Sequence, residues 1–130
     1  AENLRNISNT VCYSSVATAS DLEAPVIVAP SVSGFTTRML SKWRPKALIA
    51  GLSPSMTAVR QMQLYWGVKP FHAKRAESTD ALLFASVELL KEKGIVKEGE
   101  IVVATAGVVT RANRHEPVAD TNIMRVMVVE

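Results

Sequence analysis

Two short, wholly apolar runs constrain the fold of this chain more than any other feature of its sequence. Residues Val26–Ala29 lie between two prolines, and residues Ala47–Leu52 follow the dipeptide Pro45-Lys46. Runs of this length and composition are typical of β-strands that are buried on both faces, as the strands of a parallel sheet are. The sequence therefore predicts a parallel sheet that is covered by helices.

Helical and extended patterns alternate along the rest of the chain. The predicted helices cover four stretches: about Asn3–Ser20, Gly34–Lys42, Ser55–Tyr65 and Ser78–Lys93. The further predicted strands are Val68–His72, Ile101–Ala106 and Asn122–Val129. Pro70 lies within the first of these strands and predicts an edge of the sheet. Strands that alternate with helices imply parallel pairing with right-handed crossovers.

The last connection of the chain, Gly107–Thr121, has no helical period and contains Pro117. A parallel return needs a crossover, which is normally a helix, so we expect the fifth strand to lie antiparallel beside the fourth. The predicted fold class is α/β: a three-layer α/β/α sandwich around a five-stranded mixed sheet, with four parallel strands and an antiparallel fifth. We expect residues 1–130 to form a single domain, which is an ordinary size for one.

The composition narrows the classes of protein to which the chain can belong. Its 15 basic and 12 acidic residues give a net charge of +3, which is too small to predict a nucleic-acid partner. Cys12 is the single cysteine, so no disulfide within the chain and no cysteine-based zinc site are expected. No apolar run approaches the roughly 20 residues that cross a bilayer, and the N-terminal stretch has no signal-peptide pattern. We therefore expect a cytoplasmic protein without a membrane partner.

The loop PSVSGFTTRML connects the first strand to the second helix and is rich in hydroxyl groups. The predicted phosphate-binding residues in it are Ser31, Ser33, Gly34, Phe35 and Thr36. Three of them carry hydroxyls that can donate hydrogen bonds, and the glycine allows the backbone to approach a ligand closely. We expect the backbone amides of Gly34, Phe35 and Thr36 to be free and to point at a bound oxyanion, which the helix dipole also favours.

Two other interpretations of this loop stay open. Ser33 could simply cap the second helix, as hydroxyl residues at helix starts commonly do. Ser33 could also be a nucleophile on a tight strand-to-helix turn. That motif has a glycine on each side of the nucleophile, whereas VSGF lacks the first, and only His72 and His115 are available as a base.

The loop Gly107–Thr121 is the second candidate for ligand binding, because a structureless loop of this length is unusual in a compact domain. Its Arg111, Arg114 and His115 could supply the counter-charge for a second phosphate or acidic group; solvated loop charges are the alternative. Ligands of open α/β sheets bind outside the carboxyl ends of the strands, where the strand order reverses. Both loops flank this point if the first and fourth strands are neighbours.

Several stretches taken together resemble the C-terminal domain of pyruvate kinases. They are LSKWRPKALIAGLSPSMTAVRQMQLYWGV, the pair Ser33-Gly34 before the second helix, GEIVVATAG, and TNIMRV near the end. The resemblance extends from about Ser14 to Val129. It implies the strand order 3-2-1-4-5, in which the first and fourth strands are neighbours.

The resemblance also implies a function. In many pyruvate kinases this domain binds a phosphorylated allosteric effector, often a sugar bisphosphate, and supplies a subunit interface in a tetramer. The phosphate-holding segment corresponds to residues 31–36, and the closing effector loop corresponds to Gly107–Thr121. The sequence departs from the family at Phe35 and Leu82, where some members carry basic residues, so the resemblance does not identify the effector.

The resemblance further implies that catalysis takes place elsewhere. The parent enzyme is a glycolytic phosphotransferase that converts phosphoenolpyruvate to pyruvate with magnesium and potassium, in a barrel domain that these 130 residues do not contain. We expect a domain with no catalytic residue, no metal site and no cofactor of its own, as a fragment or a free-standing relative. Its expected partners are a phosphorylated metabolite, the pyruvate kinase catalytic domain and further copies of the chain. An interaction module without a ligand is the alternative.

Overall fold

The computed structural model describes residues 2–107 and 121–130, and the side chains from residue 7 onward within these ranges. The elements in chain order are α1 (Glu2–Asp21), β1 (Val26–Pro30), α2 (Phe35–Lys42), β2 (Leu48–Ser53), α3 (Met56–Met62), β3 (Val68–His72), α4 (Thr79–Glu92), β4 (Ile101–Ala106) and β5 (Ile123–Val128). None of the helices in these ranges is both long and apolar enough to cross a membrane.

The predicted bounds agree with the observed ones to within one residue, except at the end of α3. The predicted helix extends to Tyr65, whereas α3 ends at Met62. The reason is a change in hydrogen bonding, because the amides of Gln63, Leu64 and Tyr65 each donate to the carbonyl three residues earlier. This tighter pattern is common where helices end.

The five strands form one sheet in the order β3-β2-β1-β4-β5. All neighbouring pairs are parallel except β4 and β5, which are antiparallel. This confirms both the predicted fold class and the strand order that the family resemblance implies. It also confirms that β3, the strand with Pro70, lies at an edge.

Strand β1 lies at the centre of two hydrophobic clusters, one on each face of the sheet. Val26 and Val28 belong to the cluster that packs against α4. Ile27 and Ala29 belong to the cluster that packs against α1 and α2, which contains Leu40. Successive side chains of a strand point to opposite faces, so the wholly apolar run of β1 is required by burial on both sides.

The contact between α3 and the sheet depends on Gly51 in β2. A Cβ atom at this position would lie 2.6 Å from the Met62 sulfur and 2.9 Å from the methyl carbon of Thr37. The absence of a side chain at Gly51 therefore lets both helices, α2 and α3, approach the sheet closely.

We predict that Gly51→Ala lowers the free energy of unfolding by about 1–3 kcal/mol, the usual cost of overpacking a core. The methyl carbon of Thr37 is the less adaptable neighbour, since the Met62 side chain can change rotamer. Thr37→Ser removes this carbon and keeps the hydroxyl, so the cost of Gly51→Ala should fall in that background. Urea denaturation of the four chains measures both effects, and an unchanged midpoint for Gly51→Ala would contradict the packing argument.

Candidate functional site

A pocket of about 220 Å³ lies at the carboxyl ends of the parallel strands. Residues at the end of each parallel strand line it: Pro30, Leu52, Ala73 and Gly107. The chain leaves β1 towards β2 on one side, while β4 lies on the other, so the strand order reverses between β1 and β4. The pocket therefore occupies the switch point at which ligands bind in open α/β sheets.

The loop after β1 forms one wall of the pocket, and two hydrogen bonds to β2 fix its course. The Ser31 amide donates to the Leu52 carbonyl at 2.8 Å, and the Ser53 hydroxyl donates to the Val32 carbonyl at 3.0 Å. Ser31 and Val32 both line the pocket. Both hydrogen bonds join the loop after β1 to residues of β2. The shape of this wall of the pocket therefore depends on the position of β2.

The hydroxyls of the loop accept hydrogen bonds from the amides that precede and begin α2. The Gly34 amide donates to the Ser31 hydroxyl at 2.9 Å, and the Phe35 amide donates to the Ser33 hydroxyl at 3.3 Å. The expectation of free amides is therefore wrong for Gly34 and Phe35, because the serines of the loop already satisfy them. The position before the helix is Gly34 rather than Ser33, which corrects the interpretation of Ser33 as the helix cap.

Gly34 has a structural reason to be glycine. Its φ of 85° lies in the left-handed region that other residues rarely adopt. A Cβ atom at this position would also lie 3.2 Å from the Met62 side chain and 3.7 Å from the Tyr65 ring. The side of Gly34 where a Cβ atom would lie therefore faces α3 and the turn after it. Gly34 is not among the residues that line the pocket. Ser33 and Phe35 do not line the pocket either.

Thr36 connects the pocket to the interior of the domain. Thr36 lines the pocket, and its hydroxyl shares a hydrogen bond with the hydroxyl of Thr121. The Thr121 amide in turn donates to the Ser8 hydroxyl of α1 at 3.1 Å. All three residues are buried. The end of the second loop is thus joined to both α1 and α2 beside the pocket.

The two ends of the second loop lie where the sequence analysis expects them. Gly107 lines the pocket, and the Asn122 amide donates to the Ala106 carbonyl at 3.1 Å. Arg111, Arg114 and His115 lie outside the described residues, so their part in the site stays a prediction.

The cationic residues of the pocket were not predicted from the sequence. Lys74 and Arg75 follow β3 and line the pocket together with Ser31 and Thr36. The signal for them was available, because a basic pair directly after a parallel strand must lie at the same sheet edge as the other carboxyl-end loops. Most of the remaining lining is apolar and includes Leu52 and Leu82.

Cys12 of α1 lies in the same buried region as Thr121. Burial raises the pKa of its thiol to about 11, and the hydrogen bond with the Thr121 side chain opposes this rise. A thiol with so high a pKa is almost wholly protonated at neutral pH and is a poor nucleophile and metal ligand. The described residues contain no group of three or more His, Cys, Asp or Glu side chains that could hold a metal ion.

The fold and the pocket define a class: an open α/β domain with a pocket at its strand switch point. The family of the chain follows from its relatives. Residues 9–127 match the family model "Pyruvate kinase, alpha/beta domain". The chain belongs to this family and is a pyruvate kinase C-terminal domain, as the resemblance indicates.

Individual relatives agree with this assignment. The chain is 36% identical over 126 residues to a pyruvate kinase of Clostridium acetobutylicum, covering 97% of the chain and 26% of the relative. It is also 36% identical over 131 residues to a pyruvate kinase of Geobacillus stearothermophilus, covering 98% of the chain and 21% of the relative. The chain thus spans about a quarter or less of these curated relatives.

A solved structure shares the fold. The crystal structure of a pyruvate kinase from Cryptosporidium parvum superposes with a TM-score of 0.81 at 22% sequence identity. The match covers 95% of this chain and 23% of the Cryptosporidium chain. At this identity the likeness shows the fold and no more.

We predict that Thr121→Val lowers the free energy of unfolding by about 1–3 kcal/mol, because it leaves the buried Thr36 hydroxyl without its partner. Thr36→Val should have a similar effect. The double variant should be less destabilised than the sum of the two, since two apolar groups of the same shape need no hydrogen bond. Chemical denaturation of the four chains measures the coupling, and strictly additive losses would show that the two hydroxyls do not interact.

Proposed function

We propose that this chain is the regulatory domain of a pyruvate kinase and binds a phosphorylated metabolite as an allosteric effector at the switch-point pocket. The observation that carries the proposal is the pocket itself, which combines hydroxyl groups on one wall with cationic side chains on another. Among the described lining residues there is no Asp or Glu. Such a lining favours an anionic ligand.

In this proposal the effector's phosphate lies against the loop after β1. Ser31 and Thr36 line the pocket, and both carry a hydroxyl group. A hydroxyl that accepts a bond from a backbone amide, as Ser31 does from Gly34, still has its own proton to donate to an anion. Ser33, Gly34 and Phe35 then act by holding this loop in shape.

The second loop supplies the closing side of the site in this proposal. Arg111, Arg114 and His115 would bring further positive charge over the ligand. The ends of their loop, Gly107 and Thr121, support the proposal, because one lines the pocket and the other bonds to the pocket residue Thr36.

We infer that the catalytic work of the parent enzyme belongs to the part of the protein outside this chain. Conversion of phosphoenolpyruvate to pyruvate requires positioned cations, which the parent would hold as magnesium and potassium. The catalytic domain is therefore a proposed partner, and the proposed place of action is the cytoplasm.

We predict that the isolated chain binds fructose bisphosphate in a calorimetric titration, and that Ser31→Ala weakens this binding roughly tenfold. A hydrogen bond to a charged group contributes about 1.5–3 kcal/mol. Ser20→Ala, the same change at an exposed position near the C-terminal end of α1, is the matched control and should leave the affinity unchanged. Equal affinity of Ser31→Ala and the wild-type chain would remove Ser31 from the site.

A second candidate function is the assembly of several copies of the chain without a ligand. The exposed apolar side chains of strand β5 favour it. This strand forms an edge of the sheet and exposes a row of apolar side chains on one face. They are Met124 (37% exposed), Val126 (45%) and Val128 (59%). Apolar edge strands pair readily with another chain, so we propose that a second copy of this chain pairs with β5. This assembly could accompany effector binding or be the function of a domain that binds no effector.

We predict that the chain forms an oligomer through β5 and that Val126→Lys shifts it to the monomer, because a charge on an edge strand opposes pairing. Phe84→Lys, a similar change at an exposed apolar residue of α4, is the control and should leave the mass unchanged. Light scattering over a range of concentrations measures the mass. A Val126→Lys chain with the wild-type mass would exclude β5 as the interface.

A further inference from the structure

We propose that a pocket at the opposite end of the sheet binds a small aromatic carboxylate that also carries a hydrogen-bond donor. This amino-end pocket lies where β1 and β2 begin, between the turns that follow α1 and α2, and its volume is about 510 Å³. Glu23 of the first turn and Trp43, Arg44 and Lys46 of the second turn line it. The amino-end pocket shares no lining residue with the switch-point pocket.

The first argument is the backbone conformation of two of these residues. Glu23 and Arg44 have φ angles of 54° and 43°, in the left-handed region that residues other than glycine rarely adopt. Among the described residues they are the only ones besides glycines with a positive φ. Both line the amino-end pocket. Strained residues of this kind cluster at ligand sites.

The end of α4 shows that the same turn forms without this strain. At the ends of α1 and α4 a backbone amide donates to the carbonyl five residues earlier at 2.9 Å, from Ala24 to Ala19 and from Ile95 to Leu90. The residue before the donor is left-handed in both turns, but it is Gly94 after α4 and Glu23 after α1. Glycine adopts this conformation freely. The turn itself therefore does not require a glutamate, and the Glu23 side chain has a role in the pocket.

The second argument is that the charges of the amino-end pocket are unpaired. Glu23, Arg44 and Lys46 form no ion pair within the described ranges, although all three line the same pocket. The Arg44 guanidinium lies over the Trp66 ring, 5.0 Å from its centroid. A stacked guanidinium keeps the N–H donors at its edge, and these match the two oxygens of a carboxylate. The two cations thus offer a carboxylate site, and Glu23 offers an acceptor for a donor group.

The third argument is the aromatic surface of the amino-end pocket. Trp43 lines the pocket and is 48% exposed. Its ring packs edge to face against the ring of Tyr13, with centroids 5.0 Å apart. Val16 and Pro25 add apolar lining beside it. A planar ring in the ligand can stack on the indole, which is a common geometry for aromatic pairs.

The helix dipole at the amino-end pocket favours a ligand with one negative charge. Helix α1 ends there with no basic residue in its last turn, so nothing in that turn offsets the negative end of its dipole. Glu23 adds a carboxylate on the same side. A phosphate carries about twice the charge of a carboxylate and meets about twice this repulsion. A carboxylate is therefore the anionic group that fits.

The test uses indoleacetate as the probe, because it combines a planar ring, one carboxylate and one N–H donor. NMR on the isotope-labelled chain follows the indole N–H signal of Trp43, which should show a saturable shift. Indoleacetamide lacks the charge, N-methylindoleacetate lacks the donor, and cyclohexylacetate lacks the planar ring. Each should bind at least about threefold more weakly, the effect of one exposed polar or stacking contact.

Variants assign the two polar contacts. Arg44→Ala/Lys46→Ala should remove the preference for indoleacetate over indoleacetamide, and Glu23→Gly should remove the preference over N-methylindoleacetate. Glu23→Gly should also keep or exceed the urea midpoint of the wild-type chain, because glycine relieves the strain. The matched control Arg60→Ala/Lys93→Ala removes the same charge at exposed positions outside the pocket and should keep both preferences. Circular dichroism checks that each variant is folded.

Three results would overturn the proposal. They are a wild-type chain without a saturable shift at Trp43, equal binding of the four compounds, and preferences that the pocket variants leave unchanged. A lower urea midpoint for Glu23→Gly would show that Glu23 serves the stability of the turn, and would remove it from the site. None of these results bears on the switch-point pocket, whose binding of fructose bisphosphate is measured separately.

Discussion

Burial of β1 on all sides is the constraint on which the rest of the structure depends. Residues Val26–Ala29 are at most 1% exposed, β2 and β4 bond to the two edges of the strand, and helices cover both of its faces. A strand so enclosed has to be apolar at every position. Because β1 lies between β2 and β4, its carboxyl end is also the point where the strand order reverses, and the pocket forms there.

The shape of the pocket depends on hydrogen bonds within the protein. Backbone groups at Ser31, Val32 and Leu52 hold the first wall against β2, and the hydroxyl pair of Thr36 and Thr121 joins this wall to the end of the second loop. Since Thr121 also bonds to Ser8, a change at Thr36 on ligand binding would reach α1 through two hydrogen bonds. In the proposed function, a wall that the protein's own hydrogen bonds hold in shape lowers the entropy cost of binding an effector.

Much of this fold could be predicted from the sequence, and the limits have physical causes. The apolar run Val26–Ala29 was enough to predict a buried sheet between helices. The antiparallel fifth strand was predicted because the sequence before β5 has no helical period. Placement of β1 beside β4 needed the resemblance to pyruvate kinases, because local patterns carry no information on which distant strands pair. The hydrogen bonds that the backbone amides of Gly34 and Phe35 donate were not predicted. The hydroxyls of such a loop can face either a ligand or the loop's own backbone, and the sequence does not distinguish the two. Lys74 and Arg75 were not predicted although a signal was available, because they follow a predicted parallel strand and so lie at the same sheet edge as the other carboxyl-end loops.

The central claim is that the switch-point pocket binds an anionic metabolite, and backbone NMR during a titration with fructose bisphosphate tests it most directly. The account predicts saturable shifts of the amide signals of Ser31 after β1, Thr36 at the start of α2, and Lys74 and Arg75 after β3. Signals at the far end of the sheet, such as that of Lys93, should stay in place. Shifts confined to that far end, or no saturable shift at the pocket, would contradict the claim.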